Sequence, residues 1–438
     1  MNRRDAFKWM LGGLALAGAP SWLAASPVAT EFFVFIHAAG GWDVTLWSDP
    51  RNEAVGIIDP ASDLNTDIGG LAHWRPAGAS FELVRSRSGN LTVGPAIGGL
   101  HDLLDRVTII NGIAMNTVSH EDGTAYSTTG RHRVGGALAQ SSIDVLLANE
   151  LGATQLMPAV SVRFPSAFVG DQLDRRVVPV RVGTVDAVTK SFVRSPLYLQ
   201  RSDRAAISAL LTEEAASLAA SSTHPTVYEQ LGSQHAALPR LLDGDFATAF
   251  GSRQLQASYP QINYQGRHGE ATVGAAFAVE ALKRNVARCV SFAVGGFDTH
   301  GANHRGHALL LQDLFDMIAT LIKTLDRTPH PVRAGTMLSE STHVVVLSEF
   351  CRTPQINPAG GRDHYPNNSA LVISPKFRGG TSVGSTDPEQ LLPRDAGRFA
   401  SGSRPLAPPD LLATLLAAFS IDPRRYLRDG EVVKALLA

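Results

Sequence analysis

Apolar and polar positions alternate along this chain in blocks, and the blocks switch between two periods. Short continuous apolar runs of five or six residues, Glu31 to Ile36, Arg106 to Asn111, Val160 to Phe164, Cys289 to Val294, Thr342 to Leu347 and Ser369 to Ile373, read as buried strands. Between them lie stretches with apolar residues at helical spacing: Leu100 to Leu104, Ser141 to Leu151, Arg204 to Ala220, Val227 to Leu242, Val273 to Val286, the run L-L-L-Q-D-L-F-D-M-I-A-T-L-I that follows Asn303, Pro409 to Ile421 and a short tail piece from Glu431 to Leu437. Strands alternating with helices over this length predict an α/β fold, with a largely parallel central sheet and helices on both faces. Residues 51–99 are rich in Gly, Pro, Asp and Asn and read as loop and peripheral hairpin. The block 170–268 reads as a helical insertion or lid.

The most informative switch is C-V-S-F-A-V-G-G-F-D-T-H-G-A-N-H-R-G-H, from Cys289 to His307. An apolar strand ends at a Gly pair, and Asp298, His300, His304 and His307 follow within ten residues. Ligand sites in open α/β sheets form beyond the carboxyl ends of the strands, so this is where a site is expected. With the helix starting near Asn303, His304 and His307 share its first turns while Asp298 and His300 stay in the loop. Asp and His also serve as loop and cap residues, and one such cluster alone is a weak motif.

Other strand ends repeat the pattern. Asp43 follows the first strand through H-A-A-G-G-W-D, and Ser119, His120 and Thr124 follow the second at a helix start. Glu349 and Arg352 follow T-H-V-V-V-L, and Asp363 and His364 sit in a turn-rich loop before the next strand. Parallel strands bring such ends to one edge, and carboxylates with imidazoles suit a divalent ion such as Zn or Mn. Arg352 in that place is a candidate to grip a phosphate or carboxylate, or to pair with Glu349.

The chain has 39 basic and 40 acidic residues, which gives no basic patch for nucleic acid and no acidic disordered tail. It opens M-N-R-R-D-A-F-K-W-M-L-G-G-L-A-L-A-G-A-P-S-W-L-A-A-S, with Arg3 and Arg4 ahead of a short apolar segment and small residues up to Ala25. This pattern predicts a signal peptide over residues 1–25, of twin-arginine type, and hence a periplasmic or secreted protein that meets the twin-arginine export machinery. The apolar run is shorter than the ~20 residues of a membrane span. The remainder, 26–438, is long enough for one large α/β domain. Cys289 and Cys351 are expected as two buried free thiols.

The leader, A-G-G-W-D, G-F-D-T-H-G-A-N, S-E-F-C-R-T-P and G-R-D-H-Y-P together resemble the exported bacterial family of unknown function numbered fifteen-oh-one, within the alkaline phosphatase-like superfamily. The resemblance covers essentially the whole chain after the leader. It implies an alkaline phosphatase-like fold and a divalent metal centre (Zn, Mn, Mg or Ca, one or two ions) built from Asp43, Asp298, His300, Glu349, Asp363 and His364. Glu349 and Phe350 stand where the superfamily usually has an Asp followed by a His, which favours a single ion. The run S-H-E-D-G-T-A-Y-S-T-T-G resembles the phosphatase nucleophile helix. It implies catalytic roles for Ser119 as nucleophile, His120 as acid or base, and Arg352 on the substrate oxygens. The expected activity is hydrolysis of a phosphate or sulfate ester, on a small-molecule or glycan substrate. The alternative is a non-catalytic exported protein that binds or assembles with another exported protein on the same fold.

Overall fold

Eight of the chain's strands form one twisted sheet. The computed structural model describes residues 30–51, 71–74, 76–77, 80–170, 172–190, 201–223, 228, 232, 245–262, 269–301, 303–396, 398–399 and 402–438. The leader expected over residues 1–25, and most of the helix expected from Val227 to Leu242, lie outside the described residues. In chain order the strands are β1 Phe32–Ala38, β2 Val107–Ala114, β3 Met157–Val162, β4 Val180–Val182, β5 Ala287–Val294, β6 Thr342–Leu347, β7 Asn367–Ile373 and β8 Thr381–Val383. They lie side by side as β8-β2-β7-β6-β1-β5-β3-β4. Seven run the same way, and β7 alone is antiparallel to its neighbours β6 and β2.

All seven residues of β1 are buried, as the centre of a sheet covered on both faces requires. Its side chains divide between two apolar layers. Phe32, Val34 and Ile36 join the core under helices α4 (Gly269–Lys283) and α5 (Ala308–Leu325) and the kinked segment Pro95–Arg106. Phe33 and Phe35 join the core under α2 (Ile143–Gly152) and α6 (Pro408–Ala417). Two further helices complete the set used below, α1 (His120–Thr129) after β2 and α3 (Arg201–Ser221) in the middle block. The segment expected as a helix from Leu100 to Leu104 is part of the 3₁₀ stretch Pro95–Arg106, and the tail piece is a single 3₁₀ turn, Lys434–Leu436.

Strand direction decides where the polar ends go. β1, β2, β5 and β6 deliver Gly40, His120, Asp298 and Glu349 beyond their carboxyl ends, all at one rim. Because β7 runs the other way, it starts at that rim, and the residues just before it, Arg362, Asp363 and His364, arrive there too. A two-residue ribbon pairing Cys351–Arg352 with His364–Tyr365 locks the loop after β6 to the loop before β7.

The loops close tightly over the rim. Gly40 sits at φ +121°, and a Cβ there would lie 2.2 Å from the backbone nitrogen of Asp298. Gly123 inside α1 is just as constrained, since a Cβ would meet the carbonyl oxygen of Glu349 at 2.5 Å. Together these two positions let the loop after β1 and helix α1 approach Asp298 and Glu349 from opposite sides.

Candidate metal centre

Asp298 is the meeting point. Its Oδ1 lies 3.1 Å from His300 Nε2, 3.2 Å from His364 Nε2 and 2.6 Å from Arg352 Nη2, and its Oδ2 lies 3.4 Å from His120 Nε2. Burial works against ionisation of this half-exposed carboxyl, and its contacts, led by the hydrogen bond from Arg352, outweigh it, holding the group down at about 2. Among the described residues, His120, Asp298 and His364 each offer one donor atom within 4.8 Å of the others.

Each imidazole is fixed from behind by an acceptor. His120 Nδ1 is 2.8 Å from Glu349 Oε1, His300 Nδ1 is 2.8 Å from Asp363 Oδ1, and His364 Nδ1 is 2.9 Å from the carbonyl oxygen of Val118. A carboxylate and a carbonyl only accept, so the network assigns a proton to every Nδ1 and leaves the Nε2 atoms as lone-pair donors toward Asp298. His300 and His364 then face each other, Nε2 to Nε2, at 3.1 Å. Two lone pairs and a carboxylate at that separation repel unless a proton or a cation lies among them. Imidazole nitrogens and a carboxylate oxygen with outer nitrogens anchored are the donor types that suit a divalent ion such as zinc; His120, Asp298 and His364 form the group that could hold one, with His300 beside them.

Glu349 is the main support. It is 2% exposed, and Oε1 accepts from the Gly40 N–H at 2.7 Å as well as from His120, while Oε2 accepts from Ser348 Oγ at 3.1 Å. His37, the penultimate residue of β1, brings Nε2 to 3.5 Å from Oε2. Burial opposes the charge on Glu349, and His120, His37 and the backbone donors outweigh it, so its pKa is lowered. The Glu349 hydrogen bond in turn raises the pKa of His120 against its own partial burial. Burial lowers that of His37, with Glu349 opposing. His37 had no motif to announce it. The available signal was a histidine at the carboxyl end of an otherwise apolar strand.

The remaining candidates fall in different places. Asp363 stands behind His300, its carboxyl kept low first by the His300 hydrogen bond and then by Asn357. Arg352 is 0% exposed, and its nitrogens bind the carbonyls of Gly40, Gly41 and Arg362 besides Asp298. Four of its five N–H groups are thereby engaged and the side chain is sealed from solvent, so the expected grip on substrate oxygens is not presented at the rim. The guanidinium instead ties Asp298 to the loops after β1 and before β7. Asp43, fully buried, is not a member of the donor group. Its carboxylate accepts from Thr45 N at 2.9 Å, Thr45 Oγ1 at 2.6 Å and Asn303 Nδ2 at 2.5 Å, with Arg362 Nε at 3.3 Å. Burial raises the pKa of Asp43, and Arg362 leads the contacts that bring it below the usual range.

His307, expected on the first turns of a helix, ends a π-helical turn, Asn303–His307, ahead of α5. It is buried, accepting the Asp43 N–H at Nε2 (2.8 Å) and meeting Thr299 Oγ1 at Nδ1 (2.7 Å). The His304 side chain lies outside the described residues. Ser119 is the N-cap of α1, its hydroxyl accepting from the Asp122 N–H at 3.5 Å. Cys289 and Cys351 are buried free thiols.

Comparison with curated proteins finds no match. Among solved structures, the chain is similar to Ps i-CgsB crystallised in complex with k-i-k-neocarrahexaose, at 10% identity over 92% of this chain and 75% of that one, with a TM-score of 0.37. It is also similar to a protein in the alkaline phosphatase superfamily from Vibrio parahaemolyticus, at 10% identity over 100% of this chain and 80% of that one, with a TM-score of 0.32. A family model described as protein of unknown function (DUF1501) matches residues 33–431, and the chain belongs to that family.

Proposed function

We propose that this protein is an exported, periplasmic metal-dependent hydrolase of phosphate or sulfate esters, on an alkaline phosphatase-like fold. The observation that supports the reading best is the convergence of three Nε2 atoms on Asp298, with His300 and His364 face to face at 3.1 Å and every Nδ1 anchored on an acceptor. The donors that would hold a divalent ion are Nε2 of His120, His300 and His364 and an oxygen of Asp298. Such an ion supplies positive charge for the oxygens of the transferring group. The chain's own part is orientation. Glu349, Asp363 and the Val118 carbonyl fix the three rings, and Arg352 fixes Asp298. Since the Ser119 hydroxyl caps α1, we assign the attack on the ester to water.

Metal analysis of natively purified protein, followed by turnover of a panel of aryl phosphates and sulfates, tests this. The parent should carry a divalent ion and release phosphate or sulfate. Asp298→Asn should lose both ion and turnover, and Ser119→Ala should keep turnover. A metal-free, inert protein that retains one exported partner through purification would instead support the binding or assembly reading, in which Arg352 alone neutralises Asp298.

A further inference from the structure

Helix α1 does more than present His120. One turn on stands Thr124 and a further turn on Thr128, so the three share a face, and that face forms a wall of a cavity of about 380 Å³. The volume falls within the roughly 300–1,000 Å³ of small-molecule sites, enough for one ring with its substituents. Across from the helix are Pro165, just after β3, and Leu138, a leucine 40% exposed to solvent. An apolar rim facing a polar helix face suits a ring with an uncharged body.

The charges on the walls do not balance. Glu121 and Arg133 cancel as an ion pair at 2.7 Å, and Arg133 also donates to the carbonyl of Gly136. Arg181, in the short edge strand β4, reaches the same cavity, and among the described residues its guanidinium makes no hydrogen bond or ion pair. The Thr124 hydroxyl, half-buried on the cavity wall, likewise makes no hydrogen bond among the described residues. One guanidinium fork and one hydroxyl therefore face the cavity without an acceptor, a few side chains away from the donors around Asp298. Guanidinium recognises sulfate, phosphate and carboxylate by paired hydrogen bonds.

We propose that this cavity is the subsite for the alcohol part of the ester, and that Arg181 and Thr124 recognise a second anionic group on it. The favoured substrates are then esters carrying, besides the scissile group, a further sulfate, phosphate or carboxylate on a ring-sized body. The assignment rests on the hydrolase reading for its orientation, since the cavity shares His120 with the metal donors. Its anion recognition is a binding property and needs no turnover.

Two measurements keep the readings apart. The first is calorimetric titration of the full-length protein with benzene-1,3-disulfonate and with benzenesulfonate, which no hydrolase of this kind cleaves. The parent should bind the disulfonate roughly tenfold more tightly, the value of one charge-assisted contact. In Arg181→Ala that preference should fall to within about twofold. The arginine is exposed on an edge strand, so the variant keeps its fold, and melting temperature checks that it does. The second compares release of 4-nitrophenol-type products from 4-nitrophenyl phosphate and 2-carboxy-4-nitrophenyl phosphate, and from the matching sulfates. The carboxylated ester should show the higher kcat/KM in the parent and lose that advantage in Arg181→Ala. Equal affinity of the parent for the two sulfonates, or a preference that survives Arg181→Ala, overturns the subsite. Preferential disulfonate binding with no turnover of any ester supports the anion subsite and overturns the hydrolase reading. Turnover that ignores the carboxylate does the reverse.

Discussion

Replacing Glu349 separates the support of the proposed metal donors from the donors themselves. Its carboxylate is sealed from solvent and receives the Gly40 N–H at 2.7 Å, the His120 Nδ1–H at 2.8 Å and the Ser348 hydroxyl at 3.1 Å. Glu349→Ala leaves the Gly40 N–H and the His120 Nδ1–H without an acceptor, while the Ser348 hydroxyl keeps the Ala38 carbonyl at 2.7 Å. Breaking a buried charged contact of this kind costs about 3–5 kcal/mol, enough to obscure any functional reading. Glu349→Gln is the sharper test. An amide oxygen can keep the Gly40 and His120 contacts while its NH₂ faces the Ser348 hydroxyl, so the fold survives with a loss of about 1–2 kcal/mol. What is lost is charge. A neutral acceptor holds the His120 Nδ1–H about half as strongly and makes the opposite nitrogen a poorer donor.

Loss of such a supporting contact lowers metal affinity by roughly 10- to 100-fold. The assay is zinc binding to chelator-stripped protein, in competition with a chromophoric chelator at one fixed pH, because ligand protonation makes affinity pH-dependent. Urea unfolding of the same samples reports the stability loss separately. The decisive comparison is the double variant. If Glu349 acts through His120, then Glu349→Gln should weaken zinc binding in the parent and leave it nearly unchanged in a His120→Ala background. A Glu349→Gln protein that binds zinc as tightly as the parent, or one whose effect is equally large without His120, refutes the reasoning.

Three further outcomes follow from the same geometry. Gly40→Ala puts a methyl group 2.2 Å from the Asp298 nitrogen at φ +121°, so unfolding should move to lower urea by the equivalent of about 1–3 kcal/mol, and an unchanged midpoint would contradict the close approach. His343, buried, contacts Glu31 Oε2 at 2.8 Å and Ser374 Oγ at 2.7 Å; burial lowers its pKa, and Glu31 is lowered too, where burial is outweighed by His343. The unfolded chain therefore takes up the histidine proton first as pH falls through about 6.5, and the carboxylate's contribution is lost lower still, so urea midpoints should fall between pH 7.5 and 5 and fall less steeply in His343→Asn. An equal slope in the variant would show that the pair does not drive the dependence. The thiols of Cys289 and Cys351, pushed well above their ordinary pKa by burial, should ignore a thiol reagent in the native protein and react fully in concentrated guanidinium. Fast native labelling would place at least one of them at the surface.

Much of the sheet was legible because its central strands are buried on both faces and therefore read as unbroken apolar runs. Thr342–Leu347 is observed with the bounds the sequence implies, and β1, β2, β3, β5 and β7 differ from theirs by a few residues at the ends. The edge strands β4 and β8 were not legible. Each has three residues, half-exposed or exposed, and Val180–Val182 has neither the length nor the apolar continuity that marks a buried strand. The described part of block 170–268 holds helices, with α3 spanning Arg201–Ser221, and also β4, which joins the central sheet as its edge strand.

At the rim, sequence could name the residue types and could not apportion them. Asp43 and Asp298 both follow a strand and a Gly pair, yet one is sealed under Arg362 and Asn303 while the other meets three imidazoles. The difference lies in the loop before β7, which supplies both Arg362 and His364 from positions two residues apart. Arg362 turns inward to Asp43, and His364 turns outward to Asp298. That loop reaches the rim only because β7 is antiparallel, and an apolar run carries no mark of direction. A parallel β7 would have carried its preceding loop to the opposite edge and left Asp298 with His120 and His300 alone. The donor set therefore depends on one reversal of strand direction, and the ribbon between Cys351–Arg352 and His364–Tyr365 holds that reversal in register. Substituting Arg352 should accordingly disturb His364 as well as Asp298, since its Nη1 bonds the Arg362 carbonyl in the same loop at 3.1 Å.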